Sequence, residues 1–208
     1  MNLFGFLTKK KRIAGSIGYF GLENWWISTF SEHERQYIEE RFRPLGLPDN
    51  SLTSGCIEYT TETVVNFLTA LAGWFSKKQD RYIAYKILEK AEQLAADEKR
   101  IIDIHFLYSE KIKIYYKDRE DITCFEKAIE ACYQQISIAE SAAQAFRSEY
   151  KNLSLPAHKG YEQLSIILEK KLKYQEVINL CYRAAKQKWA GDWEKRIERC
   201  RNKLRKLQ

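Results

Sequence analysis

The stretch from Gly160 to Trp189, GYEQLSIILEKKLKYQEVINLCYRAAKQKW, decides the fold. Tyr161, Leu164, Ser165 and Leu168 recur at helical spacing, then "KKLK" interrupts, then Val177, Cys181 and Ala184 resume it. Two apolar stripes around a short polar break predict two helices that fold back on each other. The small residues sit where such helices cross, so their backbones can approach closely, and the large ones fill the remaining gap.

The same order of large and small residues occurs once more. Leu68, Leu71, Ala72 and Phe75 take the first-helix places, Ala84, Leu88 and Ala91 the second-helix places, and Ala96 the position of Trp189. A lone hairpin cannot bury both of its faces, so two copies of one template predict stacked hairpins.

On these residues the chain resembles the tetratricopeptide repeat, a helix-turn-helix unit of about 34 residues. The resemblance covers Leu68–Ala96 and Tyr161–Trp189. Between them Tyr108, Ile112 and Tyr115 suit a first helix, and Ala128 and Cys132 a second. Lys111, however, stands where the family carries a large apolar residue, and the spacing is longer, so the middle hairpin is expected to be irregular. Leu68 replaces the family's usual Trp, and neither copy ends in Pro.

The rest of the chain agrees with an all-α class. Of 208 residues only three are proline and nine glycine, and good helix formers abound. Apolar positions predict helices around Ile57–Phe75, Tyr82–Leu94, Ile104–Tyr115 and, as one long element, Ile122–Phe146. A final helix carries Trp193, Ile197, Cys200, Leu204 and Leu207 at alternating steps of four and three. It reads as the cap, 192–207, of a repeat domain spanning 56–208. Before that domain, residues 13–50 form an aromatic-rich helical region with Tyr19, Phe20, Trp25, Trp26 and Phe30. These rings are expected to dock on the repeats or to anchor a partner. "SEHE" at Ser31–Glu34 is a capping-box pattern that starts a helix ending at Phe42. "LPDNSLTSG" is the expected linker, and "MNLFGFLTKKKR", residues 1–12, a flexible tail.

Charge is concentrated at one end. Between Arg183 and Lys206 ten basic residues face three acids, which accounts for the whole formal charge of +7. Five scattered cysteines, odd in number and without a CxxC pair, fit reduced thiols in a cytoplasmic protein. His33, His105 and His158 have no second His or Cys at ligand spacing, so neither a metal nor a cofactor is expected. The acids of "EHERQYIEE" are favoured at a helix start for electrostatic reasons alone. With no phosphate loop, nucleophile elbow or kinase signature, no catalytic residue is assigned and the chain is not expected to be an enzyme.

The resemblance implies a scaffold or adaptor, or a regulatory protein, that binds a protein or peptide in the concave groove lined by the first helices. Carried onto this sequence, the groove positions are Asn66, Thr69, Gly73, Ser76 and Lys77, then Ser109, Lys113, Tyr116 and Lys117, then Lys159, Glu162, Ile166, Glu169 and Lys170. The lysines suit an acidic segment or a terminal carboxylate, and Tyr116 and Ile166 add apolar contact. The runner-up is nucleic-acid binding by a basic patch of Lys195, Arg196, Arg199 and Lys203 on the last helix.

Overall fold

A computed structural model describes residues 13–46 and 48–206. The expected tail, residues 1–12, and Leu207 lie outside the described residues. Eleven helices and two short strands are present among the described residues. The chain divides into two compact units, one ending at Glu62 and one starting at Thr63.

The first unit contains α1 (Gly15–Tyr19), α2 (Glu23–Thr29) and α3 (Glu32–Arg41). The capping box forms as read: the Ser31 hydroxyl accepts from the Glu34 amide, and the Glu34 carboxylate accepts from the Ser31 amide at 2.8 Å. Trp26 and Phe30 are buried, their rings 5.2 Å apart, and Trp25 meets Phe30 edge-on. They form this unit's core with Ile17, Ile38 and Leu52. The expected linker is instead folded against α1. Amides of Ala14, Ser16 and Ile17 donate to carbonyls of Thr53, Ser51 and Leu52, at 2.9 to 3.1 Å. Gly15 permits that approach, since it has φ +57° and a Cβ there would lie 2.4 Å from the Ser51 oxygen.

The second unit begins with α4 (Val64–Gly73) and α5 (Arg81–Ala95), which pack together as the first expected hairpin. Its first helix starts at Val64 rather than at Ile57, because Thr63 caps it: the hydroxyl accepts from the Asn66 amide and donates to the buried Asp103 carboxylate. α6 (Ile101–Tyr116) and α7 (Ile122–Ser137) form the middle hairpin, and α9 (Lys159–Lys170) and α10 (Tyr174–Lys186) the last. Ala72, Ala84, Ser165 and Ala184 are all wholly buried, as the template requires. α4 also packs on α6, α6 and α7 on α9, and α11 (Trp193–Arg205) on α10.

The long fourth helix expected over 122–146 is two. It breaks at Ile138, and α8 (Ala139–Glu149) lays Ala139, Ala142, Ala143 and Phe146 into the core. α8 packs on α6. Two strands that no alternation announced, β1 (Leu155–Ala157) and β2 (Trp189–Ala190), pair in parallel. They tie the segment before α9 to the segment after α10.

No helix among the described residues is long and apolar enough to cross a membrane. All five cysteines are free, and Cys132, Cys181 and Cys200 are buried.

Candidate functional site

Among the first helices of the three hairpins, α6 presents an exposed stripe. On α6 it is set by the helical period: Phe106, Lys113 and Lys117 lie within about 40° of one another around the axis, with Ser109, Glu110 and Tyr116 beside them. Ile102, Leu107, Ile112, Ile114 and Tyr115 occupy the buried sides of the same helix. On α4 and just beyond it, Lys77 is exposed while Asn66, Gly73 and Ser76 are half-buried. On α9, Lys170 is exposed and Lys159, Glu162, Ile166 and Glu169 are half-buried.

The structure brings part of the expected groove set together. Lys117 Nζ donates to the Ser76 carbonyl at 3.1 Å, joining the C-terminal ends of α4 and α6 and placing Lys77 beside Lys117. Gly73 lies against α6, for a Cβ there would meet Glu110 Oε1 at 3.4 Å. Lys113 Nζ lies 3.0 Å from Glu110, and Lys159 lies 3.2 Å from Glu162. Arg119 covers the Tyr116 ring at 5.3 Å.

Thr69 departs from the set. It is buried, and its hydroxyl donates to the Val65 carbonyl at 2.7 Å, so it faces the packed side of α4. A threonine inside a helix satisfies its hydroxyl on the preceding turn.

The basic patch is not an open one. Arg196 is buried and lies against Glu169 at 3.5 Å. Arg199 grips the same carboxylate with two bonds of 2.9 Å, and Lys203 adds a third at 2.9 Å. These bonds, Arg199 first, hold the Glu169 carboxyl down at about 2. Glu169, assigned to the groove, therefore fastens α9 to α11. Lys195 alone of the four remains exposed without an ion pair to Glu169.

Sequence spacing kept the histidines apart, yet the fold brings two of them together. His105 of α6 and His158, the N-cap of α9, are buried with ring centroids 5.1 Å apart. Trp189 stacks on His105 at 5.2 Å and meets His158 edge-on at 4.8 Å. Gln135 of α7, wholly buried, donates to the His105 carbonyl at 2.9 Å and accepts from the Gly160 amide at 2.6 Å. Burial lowers both imidazoles, to about 4 for His105 and about 3 for His158, where the neighbouring His105 adds to the effect. Neutral rings sealed among aromatic neighbours bind four elements together; they offer a substrate no access. Among the described residues no three His, Cys, Asp or Glu side chains converge as metal ligands do.

An apolar depression of about 230 Å³ also escaped sequence reading. It is lined by Phe106 and Phe146 together with Tyr150, Leu153, Leu155 and Pro156. Its walls come from α6, α8 and the loop leading into β1, which no local pattern connects. The only sequence signal was Phe106 on the lysine stripe.

The chain matches no protein-family model, no curated protein and no solved structure.

Proposed function

We propose that the unit from Thr63 onward is a tetratricopeptide-like stack of helical hairpins that binds a segment of a partner protein and carries out no chemistry itself. One observation carries this reading. The first helices α4, α6 and α9 are successive neighbours in packing, while each also packs on its own second helix. That arrangement leaves the exposed stripe of α6, with Lys77 just beyond α4 and Lys170 at the end of α9, for a guest. In this reading α11 is the cap that covers the last hairpin, and its bonds to Glu169 serve that role.

The charge on the face supports an acidic guest. Lys77, Lys113 and Lys117 gather at one end of α4 and α6, with Lys170 exposed on α9. Nucleic-acid binding by α11 is less well supported, because Arg196, Arg199 and Lys203 already share one carboxylate.

Affinity purification from the native host separates the two. Lys77→Glu with Lys113→Glu is expected to abolish recovery of a protein partner. Lys195→Glu with Arg201→Glu and Arg205→Glu on α11 is expected to leave it intact. The reverse pattern, with nucleic acid lost in the α11 variant, would replace this reading with the other.

A further inference from the structure

The lysine end of α6 has an apolar counterpart at the other end of the same stripe. Phe106, Tyr150 and Leu153 are 43%, 41% and 69% exposed, although each is large and apolar. All three border one depression, floored by Phe146 and Leu155, which are buried. Scattered exposed apolar side chains are ordinary, whereas several around one hollow mark a contact surface. The hollow is sized for a single side chain. The strand beside it is a poor place to add another, because Pro156 in the middle of β1 has no N–H to donate. A guest is therefore held there by its side chain.

We propose that this depression is the anchor subsite of the peptide face. It takes one large apolar side chain from an extended partner segment, and acidic residues of that segment reach Lys113 and Lys117. This rests on the reading of the face given above and specifies its ligand. The register follows from helix geometry. Lys113 and Lys117 stand seven and eleven residues beyond Phe106, which is roughly 10 and 16 Å along α6. An extended chain advances about 3.3 Å per residue, so the acids fall three to five positions from the anchor. Clustered acids repel one another and favour the extended form. The stripe also contains Glu110, already paired with Lys113, so the guest carboxylate competes for that lysine while Lys117 and Lys77 supply the surplus of positive charge.

The test is a phage-displayed library of random 12-residue peptides, panned against the full chain. Enriched peptides are then measured by fluorescence anisotropy. The expected winners carry Phe, Leu, Met or Trp with Asp or Glu three to five positions away. Phe106→Ser, Tyr150→Ser and Lys113→Glu are each expected to weaken them at least tenfold with circular dichroism unchanged, since all three residues have exposed or half-exposed side chains. Added salt should weaken binding to the native chain and have little further effect on Lys113→Glu. Absence of any enriched peptide overturns the proposal, as does enrichment without that spacing. If binding survives Phe106→Ser and Tyr150→Ser but is lost in Lys113→Glu, the anchor is wrong and the peptide face stands. If it survives all three, both fall.

Discussion

The outer hairpins and the middle one are built from different materials. In α4/α5 and α9/α10 the helices meet through Leu68, Leu71, Ala72, Ala84 and Leu88, and through Leu164, Ser165, Val177, Cys181 and Ala184, all buried and almost all apolar. The middle hairpin adds to its buried apolar side chains Asp103, His105, Lys111 and Gln135, and each reaches a neighbouring element. Asp103 accepts from Thr63 ahead of α4, Lys111 pairs with Glu92 of α5, and Gln135 bridges α6 to α9. Apolar contact is non-directional, so an outer hairpin can be assembled from shape and area. Buried polar groups need named partners at set positions. The middle hairpin therefore also fixes how its neighbours sit, whereas the outer ones rest mainly on apolar contact.

The comparison breaks first if an outer hairpin does not depend on its apolar contact. Leu68→Ala removes a wholly buried side chain and is expected to destabilise the chain by about 2–5 kcal/mol in urea unfolding. A change below ~1 kcal/mol would mean that the α4/α5 contact is dispensable.

Acid should strike the middle next. His105 and His158 have folded pKa values below their ordinary one, so the unfolded chain binds protons that the folded chain refuses. Stability is then full above pH 6.5 or so and declines as pH falls, at up to about 1.4 kcal/mol per pH unit for each ring. Between pH 7 and 5 the two rings together give roughly 3–4 kcal/mol. Glu169, held low by its ion pairs, loses its contribution mainly below about pH 5, as the unfolded carboxyl takes up protons, and adds little within this window. His105→Phe keeps a flat ring and should halve the slope, read from urea midpoints at several pH values. An unchanged slope would place the proton uptake elsewhere.

Gln135→Leu sharpens the same point without charge. It strips the Gly160 amide of its acceptor at the start of α9, at a cost of about 1–3 kcal/mol. Hydrogen exchange should speed up at the α9 N-terminus first, before α4 or α5 responds.

These differences explain what sequence could and could not say. Helical periodicity with interleaved small residues exposes the outer hairpins, because their packing depends on the residue types themselves. Ser31 and Glu34 were legible because a capping box is local. The break at Ile138 was not: no Gly or Pro marks it, and periodicity continues through Ala139 and Ala142, whose burial on α6 is a tertiary fact. The 48–55 stretch has the composition of a linker, but its backbone bonds to α1 depend on Gly15, far off in the chain. On the proposed site the lysines follow from helical spacing, whereas the depression needs α6, α8 and a loop together. Thr69, assigned to the groove by the resemblance, and Arg196, assigned to a basic patch by the charge of the last helix, are each drawn inward by a bonding partner that spacing does not reveal.

Lys111 puts the contrast at its most exacting, because it stands where the repeat template wants carbon. Its side chain is almost wholly buried, yet its ammonium reaches Glu92, which remains partly in water. Taking a cation out of water costs several kcal/mol, and one partly solvated carboxylate returns only part of that. Lys111→Met keeps the length of the side chain and removes the charge, leaving Glu92 free to hydrate. Stability is therefore expected to stay within about 1 kcal/mol of the native value or to rise. Glu92→Ala, by contrast, leaves the buried ammonium with Gln134 at 3.4 Å and the Tyr108 ring at 5.7 Å but no counter-charge, and should be the more damaging of the two. If Lys111→Met proves the worse, that ion pair is a net source of stability and the middle hairpin owes more to its polar contacts than to position-setting alone.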